Sequence, residues 1–410
     1  MSAAHNQLDL TAPPVVKTLA QRLLIAGAVF ALISAWIAFS NPDQFYPAYL
    51  VAFMDWLGVA LGSMAIIMIR HLTGGGWGVV IRRLQGAAMR TLPLLTVLFI
   101  PIFIAVWQGR MYPWAMSPDK ITEPRIREHL LKHSFVTAKY LNLNGLWVRA
   151  AIYFLIWNLL SFLLSKWSKE GDSSSARDNT DRFKAVSGPG LILLGGTLSF
   201  AIIDWVMSLD PSWISTIFPL AVLIGGVLSA MCFAVVAERI LFDYKPMSEM
   251  LHPDFVHDHG KWILTFIMVW AYFNFSQWLI IWGGNLPTEI TYYIHRINNG
   301  WGWVALIMVL GHFALPFAIL LSRPFKRDIR KLVWLAVWML FMGWLDLVWI
   351  IEPNFSQTLR ITVADVVVSI AFGCLWMGYF FRNLASLPLL PVYDPTAIEV
   401  LEPAPHHGGA

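Results

Sequence analysis

Ten separate runs of about 20 apolar residues divide this chain, and nothing else in it constrains the fold as tightly. A helix of that length crosses the hydrocarbon core of a bilayer, where no water is present to satisfy an unpaired backbone group. The runs lie at 19–39, 47–69, 91–108, 146–164, 186–208, 213–237, 262–282, 301–321, 332–350 and 361–381. The third is interrupted by Pro93 and Pro101. Composition agrees: 57% of the 410 residues are hydrophobic and 13% are charged, whereas a soluble domain carries roughly a quarter charged residues. The expected fold is an all-α polytopic membrane protein with ten transmembrane helices.

Basic residues set the expected orientation. The side shared by both termini holds 20 of the 29 Lys and Arg, which the positive-inside rule places in the cytoplasm of a bacterium. Residues 1–18 and 383–410 are then cytoplasmic tails. The tract "SKEGDSSSARDNTDR" (168–182), within the connection 165–185, reads as a flexible cytoplasmic linker. The opposite, periplasmic side carries one long loop, 109–145. There Thr122 as N-cap and Pro124 in the first turn open an amphipathic helix, with Ile126, Leu130, Ser134, Ala138 and Leu141 at helical spacing. The formal charge of +4 is a matter of loop asymmetry and does not point to nucleic acid.

The fifth run contains an acid, Asp204, and closes on a second, Asp210, followed by Pro211. A carboxylate inside a span is costly, so it calls for a function or a partner. It also has a twin. "DWVMSLDPSW" from Asp204 aligns with "DLVWIIEPNF" from Asp346, with Glu352 and Pro353 in the matching places. The preceding runs open on "NGLWV" (144–148) and "NGWGWV" (299–304). A shift of four spans preserves orientation, which implies two parallel four-helix units, about 47–208 and 213–350, flanked by the first and last spans.

Asp204 and Asp346 lie about 6 Å from the outer end of their helices at 1.5 Å per residue, where the helix dipole disfavours negative charge. Each must be protonated, paired or open to water. Arg149, at the outer start of the neighbouring span, is the candidate partner of Asp204. The equivalent place near Ala305 has no cation, so Asp346 is expected to take a proton more readily. Asp55 lies about 12 Å into the second span from the same face. Asp365 opens the tenth as a helix-start acid, and His312 reads as a satisfied core histidine. Asp204, Asp346, Asp55, Arg149, Asp210, Glu352, Asp365 and His312 are thus the candidates for a proton path or for buried ion pairs.

The inner half offers only His71, and Glu238 beside Arg239, near its ends. The segment "HPDFVHDHGK" (252–261) has three His and two Asp but no rigid i,i+4 pair. It reads as a partner-facing loop, and no metal is expected. Cys232 and Cys374 sit inside apolar runs. The absence of CxxC, CxxCH and ferredoxin spacings excludes covalent haem and iron–sulfur clusters.

The stretch "HDHGKWILTFIMVWAYFNFSQWLIIWGGNLPTEITYYIHRINNGW" (257–301), with "DWVMSLDPSWISTIFP" and "LNLNGLWVRAAIYFLIWNLLSFLL", resembles the F-subunit family of the bacterial alternative complex III. That complex is a quinol:cytochrome c oxidoreductase, and the subunit belongs among the NrfD and polysulfide-reductase membrane anchors. The resemblance runs from about Leu19 to Phe381. It implies ten helices in two bundles, and assembly with a paralogous ten-span subunit, an iron–sulfur subunit and c-haem subunits in the cytoplasmic membrane. It further implies that the paralogue beside the iron–sulfur clusters oxidises quinol, while this subunit supplies scaffolding, a second quinone pocket and a proton path, carried onto Asp204, Asp346 and Asp55. A family quinol-ligand motif does not map onto named residues. Two competing classes remain, a secondary transporter and an inert anchor; transporters usually carry inverted repeats, and this repeat is parallel.

Overall fold

In the computed structural model, which describes residues 10–121, 123–132, 139–173 and 179–390, the apolar runs become ten helices long and apolar enough to cross a membrane. No strand occurs among the described residues. The helices are span 1 (Pro14–Ser40), span 2 (Pro42–Thr73), span 3 (Trp77–Trp107), span 4 (Leu143–Asp172), span 5 (Thr180–Leu209), span 6 (Phe218–Leu241), span 7 (Pro253–Gly284), span 8 (Trp301–Leu320), span 9 (Ile329–Asn354) and span 10 (Val363–Leu384). Proline stands in the first turn of spans 1, 2, 6 and 7, where its missing N–H is no loss and its fixed φ suits a helix start. Alternate connections fall at two ends, here the loop face, which carries the connection after span 3, and the terminal face, where the Leu389 N–H donates to the Leu10 carbonyl at 2.8 Å.

Several boundaries differ from expectation for physical reasons. Span 3 starts at Trp77 rather than 91 and is three helical pieces, Trp77–Met89, Leu92–Leu98 and Ile100–Trp107. Pro93 and Pro101 each stand in the first turn of a piece, because proline is tolerated there and breaks the helix before it. The expected linker 168–182 is helical at both ends, leaving 174–178 outside the described residues. Span 6 begins at Phe218 rather than 213, and "HPDFVHDHGK" is the first turns of span 7 rather than a loop. The loop helix covers Pro124–Lys132 with Ile126 buried, while Thr122, Ser134 and Ala138 lie outside the described residues. So do 1–9 and 391–410, which hold most of the expected tails.

Lipid gives helices no hydrophobic reason to associate, so small residues that admit close packing matter. Spans 2 and 6, twins in the expected repeat, cross at their glycines. A Cβ added to Gly58 would stand 3.1 Å from the Gly226 Cα, and one on Gly62 would stand 2.6 Å from the Gly226 carbonyl oxygen. Around this crossing span 2 packs on spans 3, 5 and 9, and span 6 on spans 5, 7 and 9. Spans 1 and 10 pair alongside, where Gly27 meets Leu375 and Gly378 meets Leu24. Aromatic rings fill the first half around Trp205, which contacts Phe53, Phe99, Phe154 and Trp157.

Candidate functional site

At the loop end of span 5, Asp204 is 0% exposed and fully bonded. Arg149 from span 4 forks onto it, Nε donating to Oδ2 at 2.8 Å and Nη2 to Oδ1 at 3.0 Å. The Tyr153 hydroxyl, one turn further along span 4, donates to Oδ2 at 2.9 Å. The same guanidinium donates to the Tyr140 carbonyl at 3.1 Å and lies 4.0 Å from the Tyr140 ring centroid. Asp210, six residues on, receives Arg125 Nη2 at 2.8 Å and the Ser212 backbone N–H at 3.1 Å. Burial alone would lower the Arg125 guanidinium, but Asp210 and Glu123 outweigh it and hold its pKa above the ordinary value. Both acids at this end of span 5 therefore face arginine.

The twin acids do not. Asp346 accepts the Trp270 indole N–H at 3.0 Å, and among the described residues it makes no ion pair. The Trp270 ring lies 3.9 Å, centroid to centroid, from His312. His312 is not the satisfied core residue expected. It is 1% exposed, and among the described residues its Nδ1 has no hydrogen-bond partner. It sits in a π-helical turn, Met308–Ala314, whose Gly311 carbonyl accepts Trp338 Nε1 at 2.8 Å. Glu352, the counterpart of Asp210, makes no ion pair among the described residues, and its Oε1 has no hydrogen-bond partner there. Asp365 is the expected helix-start acid: with Thr362 it closes a capping box, accepting the Thr362 N–H at 2.6 Å.

Two cavities meet at Asp346. A cleft of about 750 Å³ lies between spans 7, 8 and 9, with Trp270, Tyr293, Met308, Phe313, Trp349 and Asp346 among its walls. Its rim residues Tyr272 and Phe275 are exposed on the outer surface of the bundle, so it opens sideways, toward lipid in a membrane. A crevice of about 30 Å³ lies on the other side, bounded by spans 2, 5, 6 and 9 at the glycine crossing. Asp55, Ser229 and Asp346 line it, and Asp346 is the residue common to both walls. Asp55 is half-buried, reached through that crevice.

Four further residues of the site escaped sequence reasoning. Helix Pro287–Ile297 caps the cleft at the loop face, and its first-turn Pro287 and Glu289 with Ile290, Tyr293 and Ile297 at helical spacing were the signal for it. Gln277 donates to the Tyr293 hydroxyl at 3.1 Å and accepts from Ser215 at 3.2 Å. Burial raises the Tyr293 pKa, so it stays a neutral hydroxyl. Arg296, 3% exposed, donates to the Ile350 carbonyl at 2.7 Å and so caps the end of span 9 instead of pairing with Asp346. Trp270 itself carried no signal beyond its place in an apolar run.

At the terminal face, Glu238 bonds His259 Nδ1 at 3.1 Å, whereas Arg239 pairs with Asp243. His71 bonds Ser187 at 3.1 Å. No group of three metal-ligating side chains occurs among the described residues. No family model matches the chain, and no curated protein matches its sequence.

Proposed function

We propose that this chain is a cofactor-free membrane subunit of a quinol-oxidising respiratory complex of the alternative complex III kind, whose second half holds a quinone or quinol and handles its proton. The observation that carries the reading is the lipid-open cleft of about 750 Å³, apolar throughout except for a few groups that include the carboxyl of Asp346. Ligand sites are concave, mostly apolar and furnished with a few convergent polar groups. A flat ring on an isoprenoid tail fits that chemistry, entering from the bilayer rather than from water. Asp346 would accept the ring hydroxyl's proton, since a general base needs hydrogen-bond reach and a form that can be protonated. The end of span 5, with Asp204 and Asp210 bound to Arg149 and Arg125, serves as scaffold.

The partners are a paralogous ten-span subunit, an iron–sulfur subunit and c-haem subunits, which supply the redox centres that this sequence lacks. The location is a bacterial cytoplasmic membrane with both termini inside, a reading supported by the distribution of Lys and Arg. A reporter fused after Leu384 should then read as cytoplasmic and one at Asp119 as periplasmic; the reverse pattern overturns the orientation.

The test is quinone binding to the purified chain in lipid nanodiscs, read as quenching of Trp270, Trp278 and Trp349 by a short-chain benzoquinone. Saturable quenching that bulk at the cleft (Met308→Trp) abolishes supports the reading. Quinone-independent solute uptake by the reconstituted chain would favour a transporter instead, and an absence of both would leave an anchor.

A further inference from the structure

Asp346 stands where two spaces that otherwise share no residue come together. On one side is the cleft open to lipid. On the other is the crevice between the two halves, whose remaining titratable wall residue is Asp55. At about 30 Å³ it has room for about one ordered water, which needs polar partners to stay there. Asp55, Asp346 and the Ser229 hydroxyl supply them. Gly343 keeps the spot open, because a Cβ there would stand 2.8 Å from Ser229 Oγ. The crevice is also asymmetric. Spans 2 and 6 are twins, yet across the Gly58–Gly226 crossing Asp55 has Leu223 as its counterpart.

We propose that Asp346 and Asp55 form a two-carboxyl proton relay, Asp346 taking a proton from a hydroquinone-type ligand in the cleft and passing it through the crevice to Asp55. The inference rests on the cleft being a ligand site. The steps are proton transfers only. An O–H bond of the ligand breaks and one forms on an Asp346 oxygen, leaving the ligand as its phenolate. An O–H bond then forms on Asp55, by way of the crevice water, and the Asp346 carboxylate is restored. Asp204, bound to Arg149 and Tyr153, stays outside the route.

Other charged or titratable groups near the pair are few. Span 7 brings the Trp270 N–H to Asp346 and Tyr272 to the rim of the same cleft. Span 8 contributes His312 beyond the Trp270 ring, helix Pro287–Ile297 contributes Tyr292, Tyr293 and Arg296, and spans 5 and 6 contribute only apolar side chains and Ser229 to the crevice. Coupling between the two carboxyls can therefore be read without a competing acid in the crevice.

The test is infrared titration of the protonated-carboxyl band of the full chain in nanodiscs. First, without ligand, Asp346→Asn and Asp55→Asn should each delete one band and shift the midpoint of the other by about half a pH unit or more, the mark of interacting sites. Unchanged midpoints overturn the relay. Second, on adding a short-chain benzoquinol, both bands should respond in the unmodified protein. Asp55→Asn should keep the quinol and the Asp346 response, Asp346→Asn should silence the Asp55 response, and Asp55→Glu should restore coupling if Asn disturbs the fold. An Asp55 band that responds equally without Asp346 overturns the relay. Coupled midpoints with no retained quinol would overturn the assignment of the cleft instead, leaving the carboxyl pair itself standing.

Discussion

Replacing Arg149 with methionine strips the countercharge from a carboxylate that has no access to solvent. Asp204 is 0% exposed and takes two of its three side-chain bonds from that guanidinium, at 2.8 and 3.0 Å. Breaking a buried pair by removing one partner costs about 3–5 kcal/mol, because the surviving ion keeps its desolvation penalty. Arg149 is itself 19% exposed, which places the effect near the lower bound, about 3 kcal/mol, or roughly a hundredfold in the folded-to-unfolded ratio. Removing the carboxylate instead, as Asp204→Leu, should cost less, since the freed arginine can turn toward water while only the Tyr153 hydroxyl loses an acceptor. The double variant exchanges the pair for apolar side chains, a change that is often close to neutral. The coupling across the cycle should thus exceed about 2 kcal/mol. The assay is equilibrium unfolding of the purified chain in mixed micelles. Additivity of the two single effects within about 0.5 kcal/mol would show that the pair contributes nothing beyond its separate members.

Gly62→Ala places a methyl 2.6 Å from a backbone oxygen that cannot move aside, so overpacking should cost about 2 kcal/mol or more in the same unfolding assay. Gly195→Ala, with nothing within 4 Å of the new methyl, should instead stabilise by up to about 1 kcal/mol through helix propensity. Arg125→Gln removes the link from the loop helix to Asp210 and Thr291. Because Arg125 is partly exposed the loss should be about 1 kcal/mol, read as faster proteolysis within residues 109–142. Trp270→Phe keeps a ring beside His312 but deletes the donor to Asp346; benzoquinone affinity should fall about tenfold, and unchanged affinity would separate the indole from the site.

The spans were legible because an apolar run of fixed length is the one pattern a bilayer demands, and it survives without tertiary information. Their ends were not. Span 4 has 30 residues, about 45 Å at 1.5 Å per residue, against a hydrocarbon core of about 30 Å. Its final turns lie beyond the lipid, where charged residues such as Asp172, paired with Arg83, carry no apolar signal. Arg149 could be matched to Asp204 because both positions count from neighbouring helix ends on one face. The Asp55–Asp346 crevice, the π-helical turn and the cap by Arg296 depend on which helices from different halves touch. A hydrophobic pattern says which residues avoid water; it does not say which partner a helix chooses.

The four acids at the ends of spans 5 and 9 all meet the same electrostatic problem, a negative charge where the helix dipole is already negative. In span 5 the answer is two arginines, one from span 4 and one from the loop helix, and each adds long-range contacts that fix the loop face. In span 9 Asp346 meets an indole N–H, and Glu352 makes no ion pair among the described residues. Neither acid meets a positive charge among the described residues, which leaves Asp346 able to take up and release a proton. An arginine at Ala305, the counterpart of Arg149, would bring a cation to Asp346 but would also enter the wall of the cleft. The missing cation and the open cleft are therefore two consequences of one difference between the halves.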